Sequence, residues 1–531
     1  MSEVTDNKRP VYEPKVRILL KQTVIGTCID TTMHGIPNIL KENSHIFLKV
    51  IWIICLLTCT GAGLATIIKS IQQYFSYPSY ISTSIIEEIP TQFPAVSFCN
   101  MKSVNSSTAD GADVTNSSRT LNVYTSLFEW LVSENYILRA LVNNNPTYTA
   151  DRKKSMGYQI ENMLVSCYFN YLPCYASDFT YFYHPLYGNC YTFNAAYDNN
   201  GTSKQIKSSS ISGYWNGLIL EFFVGNPSAN TQIEFHDGVI LSIQNQTDEP
   251  FWQGDILKAS AGSETDFIVN RNFITKLPSP YGNCVADPSS SPYYSYIVNT
   301  LRNSYSEEFC FLLCIQDQII KTCGCADVFL PTFNNASTLY CFNSLNDVNC
   351  MKLYINNFSS SVDLSTCKTA CPFECNSTEF RISSYQALYP TSSYIDILYS
   401  YSQNQSLNLN YNEVAQAFTK VNIYYHTMQY TTTVQTAQLQ LSDLMANIGG
   451  NLGLFLGMSF LTFAELLEIS FNTFVILVKY FLARKKNANK INNTEMVNSI
   501  ELPNSSFQNF SESSLFENKK DPLITNKAAI D

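Results

Sequence analysis

Residues 448–459, IGGNLGLFLGMS, followed by FLTFAELLEI at 460–469, decide the fold class of this chain. The stretch is apolar enough for a membrane, yet its glycines and final serine strip side chains from one side, which is typical of close helix packing. Glu465 and Glu468 follow, and carboxylates inside a membrane span are costly unless they face a partner or water. If several copies surround an axis, such small residues and acids make a cation pore, because backbone carbonyls and hydroxyls replace the water around an ion. The alternative is a packing helix whose glutamates reach towards the membrane surface.

Length, charge and motif content limit the function classes. The chain has 531 residues, of which 14% are charged, and a formal net charge of -10 without a basic cluster. That balance argues against nucleic acid as a partner. No Ser-His-Asp arrangement, metal-ligand spacing or phosphate-binding loop stands out between residues 70 and 442, so we predict no enzyme, no metal site and no cofactor.

The 17 cysteines are unevenly placed. Three of them, Cys28, Cys55 and Cys59, precede or lie within the first apolar run, and the other fourteen fall between Cys99 and Cys375. Repeated C-x-x-C pairs with histidine, which zinc would need, are absent. An even number in one block predicts an oxidising compartment and seven disulfides.

Two apolar segments predict two transmembrane helices, at residues 46–69 and 443–482. The first has twenty-odd residues, which at about 1.5 Å each cross a hydrocarbon core of roughly 30 Å. The second is longer than a straight helix requires. This excess predicts an extended backbone at Gly457-Met458-Ser459, since irregular backbone is tolerated at membrane depth where it lines a cavity.

Basic residues predict the topology. Lysines and arginines precede the first segment and follow the second. The positive-inside rule therefore makes residues 1–45 and 483–531 cytosolic, and residues 70–442 extracellular, in a protein that crosses the membrane twice. The final residues are rich in Asn, Ser and Lys without periodicity and are predicted to be a disordered tail.

The extracellular part is predicted to be α+β. GVILSIQ at 238–244 and the alternating Val421, Ile423 and Tyr425 are typical of half-buried strands. In contrast, SYSEEFCFLLCIQDQIIKTC at 304–323 carries apolar residues at helical spacing.

Cysteine spacing connects this helix with a second one. Cys310 and Cys314 share a helix face, and Cys367 and Cys371 are spaced alike before the helix-stopping Pro372. Two antiparallel helices are joined if Cys310 pairs with Cys371 and Cys314 with Cys367. The same order extends to Cys284–Cys375, and Cys323–Cys350 and Cys325–Cys341 would close the intervening loop. Spacing alone does not determine the connectivity.

Several motifs carry a family resemblance. Gly457-Met458-Ser459 resembles the G-x-S selectivity signature of the degenerin, epithelial sodium channel and acid-sensing ion channel superfamily. FPAVSFCN at 93–100, YGNCYTFN at 187–194 and LPSPYGNC at 277–284 resemble, in order, its first palm strand, the return from finger to palm and the start of the thumb. The match runs from about residue 30 to 480. It implies a plasma-membrane trimer with a hand-shaped extracellular domain of palm, finger and thumb, and adds the pairs Cys99–Cys190 and Cys167–Cys174.

The resemblance also implies roles for individual residues. Gly457, Met458 and Ser459 would form the selectivity filter. The pore would be lined by Asn447, Gly450, Glu465 and Glu468, with Asn447 standing where acid-sensing members carry an aspartate. Gating would involve the His34-Gly35 motif, the small Ala446 and the aromatic pair Tyr77 and Tyr281, in which Tyr281 replaces a tryptophan. Without the resemblance, Ala446 and the two tyrosines would be ordinary packing residues.

N-glycosylation triplets occur in the predicted extracellular part, although Asn and Ser richness alone generates some. The candidate asparagines are Asn105, Asn116, Asn200, Asn245, Asn335, Asn357, Asn376 and Asn404.

The activating stimulus has two candidates. Titration near neutral pH is chiefly a property of histidines and coupled carboxylates. The histidine pair of proton-gated relatives is replaced by Pro78-Ser79, which favours a short extracellular peptide, as in invertebrate peptide-gated members, over protons. The predicted function is a ligand-gated, amiloride-sensitive channel for sodium and, as an alternative cation, calcium. It would be a homotrimer or a heterotrimer with sister subunits in the lipid bilayer. A non-conducting membrane receptor or adhesion protein is the alternative from another class.

Overall fold

The computed structural model describes residues 21, 25–26, 28–29, 31–41, 44–105, 108, 142–228, 236–252, 256–333, 339–341, 345–358 and 362–491. The candidate glycosylation residues Asn116 and Asn335 lie outside the described residues, as does the predicted tail beyond residue 491. The chain divides into two compact units. One comprises Met1–Ile67 with Ile448–Asp531, and the other comprises Ile68–Asn447.

The helices of the described residues, in chain order, are α1 (Ile36–Leu40), α2 (Ile46–Phe75), α3 (Ala150–Met156), α4 (Ile160–Met163), α5 (Glu307–Cys323), α6 (Leu345–Phe358), α7 (Val362–Ala370), α8 (Ser392–Asn404), α9 (Tyr411–Ala417), α10 (Leu441–Leu456) and α11 (Phe460–Ile491).

The strands are β1 (Ser79–Glu87), β2 (Thr91–Gln92), β3 (Ala95–Asn100), β4 (Leu164–Phe169), β5 (Leu172–Pro173), β6 (Phe179–His184), β7 (Gly188–Phe193), β8 (Ser208–Ser209), β9 (Leu218–Phe223), β10 (Gly238–Gln244), β11 (Leu257–Ser260), β12 (Ser263–Thr275), β13 (Asn376–Leu388) and β14 (Phe418–Ala437).

The first unit contains the two apolar helices. α2 and the Phe460–Lys479 part of α11 are long and apolar enough to cross a membrane, with mean hydropathies of 2.2 and 1.7. Both helices are longer than the sequence predicts. α2 continues past residue 69 to Phe75, and α11 continues past residue 482 to Ile491. The extra residues include no proline or glycine, so nothing in the chain ends either helix at the edge of the apolar run.

In the second unit, a seven-stranded sheet runs in the order β13-β12-β14-β9-β4-β5, with β1 on the remaining part of β14. β12 pairs with β14 in parallel and the other neighbours are antiparallel. A second sheet has the order β11-β10-β3-β7-β6, and β2 pairs with β8. Residues of both larger sheets share one core, in which Phe98, Phe193 and Phe222 are fully buried.

The strand at 238–244 is confirmed, but its predicted half-burial is wrong. Every residue of β10 except Gln244 is buried. Val239 and Leu241 belong to the core between the sheets, while Ile240, on the other face, packs with Cys99, Cys190 and Phe251. The second face is covered by residues remote in the sequence, which the local alternation does not reveal.

The helices α5 and α7 form the thumb. α5 begins at the cap Ser306, whose hydroxyl accepts the Phe309 N–H, and ends at the left-handed Gly324. The buried Cys310, Leu313 and Cys314 of α5 pack against Cys367 of α7 and against Cys371, which follows α7. The seven disulfides of the structure are the pairs expected from the sequence: Cys99–Cys190, Cys167–Cys174, Cys284–Cys375, Cys310–Cys371, Cys314–Cys367, Cys323–Cys350 and Cys325–Cys341.

An ion pair connects Glu88, the residue after β1, with β12 in the seven-stranded sheet. The buried Arg271 of β12 contacts the Glu88 carboxylate and lies over the rings of Phe273 and Tyr430. Removal of Glu88 would be costly, because the buried Arg271 charge would lose its compensation.

Candidate functional site

The predicted filter lies at a break between two helices, in the part of the chain that belongs to the first unit. α10 ends at Leu456 and α11 begins at Phe460, and the residues between them are not helical. Gly457 has a φ of 63°, in the left-handed region, and its N–H donates to the Gly453 carbonyl at 3.0 Å. A glycine in this conformation commonly ends a helix, and residues with a side chain adopt the same conformation only with strain.

The second helix starts with its own cap. The Ser459 carbonyl accepts the Thr462 N–H at 3.0 Å, and the Ser459 N–H donates to Thr462 Oγ1 at 3.1 Å. Thr462 thus takes the place that Glu or Gln holds in a capping box, three residues after the cap. Its side chain is fully buried, whereas Ser459 is exposed.

His34 lies directly against the break. The backbone N–H of His34 donates to the Leu456 carbonyl at 3.2 Å. A Cβ added at Gly457 would lie 1.9 Å from Nδ1 of His34, so the imidazole occupies the space that a side chain would need. Gly35 follows with a φ of 95° and precedes α1. The structure therefore brings the His-Gly motif and the predicted filter together.

The two glutamates after the break differ. Oε2 of Glu465 accepts the Thr31 hydroxyl at 2.9 Å and the Thr32 N–H at 3.1 Å, and the side chain is half-buried. Glu468 is exposed. The Thr32 and Thr462 hydroxyls are 2.8 Å apart. Sequence reasoning missed Thr31, Thr32 and Thr462, and the only signal was the small polar pair before His34.

One predicted gating residue and two predicted pore-lining residues are exposed on α10. They are Ala446, Asn447 and Gly450. A Cβ at Gly450 would have no neighbour within 4 Å in the chain. In a single chain, these three residues have free space around them in which other subunits could make contact.

The predicted aromatic pair meets in the second unit. The rings of Tyr77 and Tyr281 are 5.4 Å apart, edge to face. The Tyr281 hydroxyl donates to the Leu439 carbonyl at 3.4 Å. Gln435 of β14 accepts the Leu277 N–H at 3.1 Å and donates to the Ser79 hydroxyl at 2.8 Å. The turn at the start of the thumb is thus tied to β1 and β14.

Carboxylates gather beside a cavity of about 340 Å³ at the thumb base, lined by residues that include Asp248, Tyr305 and Glu374. A Glu374 oxygen accepts the Glu307 N–H at 2.9 Å. Burial, then Glu374, then Glu308, raise the pKa of Glu307, and Lys368 opposes them. Burial raises the pKa of Asp248 against hydrogen bonds from Asn245, and Glu374 adds to the rise. In the sequence, the only sign of this carboxylate cluster is the adjacent pair Glu307 and Glu308.

Among the described residues, no group of three or more His, Cys, Asp or Glu side chains is placed to hold a metal ion. His184 is buried beside the rings of Tyr187 and Trp252.

The fold and the site define a membrane protein with two spans and a large disulfide-rich α+β extracellular domain. The chain belongs to the amiloride-sensitive sodium channel family, whose sequence profile matches residues 27–469. This is an ion-channel family and not a family of enzymes, and with the two spans it places the chain in the plasma membrane.

Individual relatives are more distant. The epithelial sodium channel subunit alpha of Cavia porcellus is 27% identical over 335 residues, which cover 61% of this chain and 46% of that protein. The gamma subunit of Rattus norvegicus is 27% identical over 333 residues, covering 62% and 49%. The chain thus spans about half the length of the curated relatives that it matches. Among solved structures, the match to the cryo-EM structure of a proton-activated chloride channel covers 81% of this chain and 98% of that chain. The sequence identity is 7% and the TM-score is 0.28.

Proposed function

We propose that the chain is a subunit of a trimeric, amiloride-blocked sodium channel of the plasma membrane, opened by a short extracellular peptide. The main observation in favour of a pore is the break at Gly457, Met458 and Ser459 within the second apolar segment. Irregular backbone at membrane depth is tolerated where it lines a water-filled path. Family membership supports the same function.

The break supplies the groups that an ion needs. A non-helical backbone has carbonyls that are free of the i to i-4 pattern, and the exposed Ser459 adds a hydroxyl. Three copies around an axis would surround a cation with such oxygens in place of water. Asn447, Gly450 and Glu468 would line the same path, and N-terminal and C-terminal segments would both lie in the cytosol.

Opening would start in the extracellular unit. A peptide that binds one arrangement of thumb and palm more tightly shifts the population towards it. The Tyr77–Tyr281 contact and the Gln435 hydrogen bonds tie the thumb's first turn to β1 and β14. Movement of the thumb would therefore reach Ala446 and the outer end of the second span through β14.

Proton gating is the second candidate, and the cavity at the thumb base favours it. The raised pKa values of Asp248 and Glu307 bring these carboxyls closer to titration in mildly acid medium. Against this, Pro78-Ser79 stands where the family resemblance implies the histidine pair of proton-gated members, which would titrate near neutral pH. We therefore place peptide gating first.

Voltage-clamp recording from cells that express the chain tests the gating. Short amidated peptides and acid steps are applied in sodium and then in a large impermeant cation, with and without amiloride. A peptide-evoked inward current that cation replacement and amiloride abolish is expected. An acid-evoked current alone would replace peptide gating by proton gating. Calcium as the only cation measures the alternative permeation.

A glycine pair separates a channel from a non-conducting receptor or adhesion protein. Gly457→Ala places a methyl where His34 lies, so we expect loss of current with surface expression retained. Gly449→Ala is the matched control, because a Cβ there has no neighbour within 4 Å. Currents that are identical for the two variants contradict the assigned filter.

A further inference from the structure

We propose that Lys420 is a two-position contact in the extracellular unit: it binds Glu264 in this structure and moves to the buried Glu221 when Glu264 loses its charge. The movement would release Tyr394 of α8 from the Glu221 carboxylate. Such a switch would regulate the extracellular unit through residues that lie in neither the filter nor the thumb, and so goes beyond the proposed function.

The three charged residues form one row across three adjacent strands. Lys420 of β14 is the register partner of Glu264 in β12 and of Glu221 in β9. In an antiparallel pair such as β14 with β9, residues directly opposite each other share one face of the sheet and lie within reach of long side chains. The single lysine of this row therefore has a carboxylate on either side.

In this structure the ammonium binds the Glu264 side. Nζ of Lys420 lies 3.0 Å from Oε1 of Glu264 and donates to the Tyr214 hydroxyl at 2.8 Å. The same Oε1 accepts the Tyr214 hydroxyl at 3.0 Å and Nδ2 of Asn422 at 2.8 Å. The side chains of Lys420 and Glu264 are 25% and 27% exposed, so the medium reaches this ion pair. Glu264 is thus the carboxylate of the row whose charge the surroundings can change.

The carboxylate on the other side is buried and lacks a cation. Glu221 is 4% exposed. Its oxygens accept hydroxyls from Ser166 at 2.9 Å, from Tyr389, and from Tyr394 at 3.4 Å. In the part of the chain that the structure describes, no lysine or arginine forms an ion pair with it. Since little water screens a buried charge, this carboxylate competes for the nearby ammonium.

Tyr394 is the donor that the ammonium would replace. Oε2 of Glu221 accepts both Ser166 and Tyr394, and the bond from Tyr394 is the longer one. Burial and then the Glu221 carboxylate raise the pKa of Tyr394, and the charge of Lys420 opposes this rise, so the ammonium lies near that hydroxyl. A charged donor makes the stronger hydrogen bond and takes the place of the neutral one. Because Tyr394 lies in the first turn of α8, its release would loosen the start of that helix.

The switch lies on the strand that leads towards the second span. Lys420 is near the start of β14, which runs from Phe418 to Ala437, and α10 begins at Leu441. A ligand or ion that favours one position of Lys420 would shift the population of the extracellular unit towards it. The partners of β14 would therefore change together with those of α8.

Hydrogen exchange of α8 in the purified full-length protein tests the switch without any current, so its failure and that of the proposed function are distinguishable. Glu264→Gln removes the charge but keeps the acceptor for Tyr214 and Asn422. The amides in the first turn of α8 are expected to exchange about 2–10-fold faster, because the net contribution of one hydrogen bond corresponds to that range. Unchanged or slower exchange overturns the proposal.

A double variant separates movement of Lys420 from a general loss of stability. In Glu264→Gln with Lys420→Met, no ammonium is left to reach Glu221, so exchange of α8 should return to the wild-type rate. Exchange that stays fast in the double variant overturns the two-position contact. Asp266→Asn is the matched control, because Asp266 lies two residues along the same face and binds Asn422 but not Lys420. Its α8 should exchange at the wild-type rate, and faster exchange there would equally overturn the switch.

Discussion

Tyr77 and Tyr281 meet edge to face, with ring centroids 5.4 Å apart and ring planes at 81°. Tyr77 has a φ of 49°, in the left-handed region, and its N–H donates to the Tyr74 carbonyl at 3.1 Å. The left-handed residue directs the chain out of α2 and into β1. The same residue therefore ends the first apolar helix and contacts the start of the thumb.

Loss of this ring contact should weaken the coupling of the thumb to the span. Edge-to-face pairs contribute about 0.5–1.5 kcal/mol beyond their buried area. For Tyr281→Ala we expect the half-maximal peptide concentration to rise by about 2–10-fold, from the tenfold change per 1.4 kcal/mol. Tyr281→Phe keeps the ring and loses only the hydrogen bond to Leu439, so its concentration-response curve should shift less. Equal shifts for the two variants would contradict a role for the ring.

A bulky residue at Ala446 should hold the channel open. The side chain is exposed on α10 in the single chain, where neighbouring copies would approach it. Ala446→Trp is expected to raise the current without peptide by about tenfold, which corresponds to ~1.4 kcal/mol of bias towards the open state. Met445→Trp, at the exposed neighbouring position, is the control and should leave the resting current low. Unchanged resting current in Ala446→Trp with normal surface expression would contradict the assigned role.

The sequence predicts the spans and the helix break because their signals are local. The second apolar segment is longer than a straight span requires and contains a cluster of glycines. These two features are enough to predict that Gly457 lies outside a helix. The thumb helices are likewise predictable, since Cys310 and Cys314 share a face with the apolar residues of α5. Helix ends are less predictable, because residues without glycine or proline continue a helix after the apolar run ends.

The partners of Glu465 are not predictable from any local pattern. Thr31 and Glu465 are separated by 434 positions in the sequence, and the contact exists only once the spans are packed. The sequence hypothesis that Glu465 lines the pore therefore could not include its hydrogen bonds to Thr31 and Thr32. The same limit applies to Glu374, whose neighbours Asp248 and Glu307 come from two other parts of the chain.

Disulfides should differ in their contribution to stability according to the loops they close. Cys99–Cys190 joins residues 91 positions apart, and Cys167–Cys174 joins residues 7 apart. From loop entropy alone, removal of the longer crosslink should cost about 2 kcal/mol more. Cys99→Ala with Cys190→Ala should therefore lower the melting temperature of the purified full-length protein more than Cys167→Ala with Cys174→Ala. The reverse order would contradict this account of the disulfides.

Glu307 and Asp248 should make the extracellular unit more stable as the medium becomes mildly acid, and Glu374 should add to this effect. The pKa values of Glu307 and Asp248 are raised above their ordinary 4.5 and 3.8 by burial first and then by the Glu374 charge. Between those ordinary values and the raised ones, the folded protein binds more protons than the unfolded chain, so stability falls as the pH rises through this window. Glu374→Gln removes the shared charge and should flatten the pH dependence of the melting temperature above pH 4.5. Glu308→Gln is the control, because Glu308 is exposed and acts on Glu307 more weakly than Glu374 does. Parallel profiles for wild type and Glu374→Gln would show that Glu374 does not couple these two carboxyls.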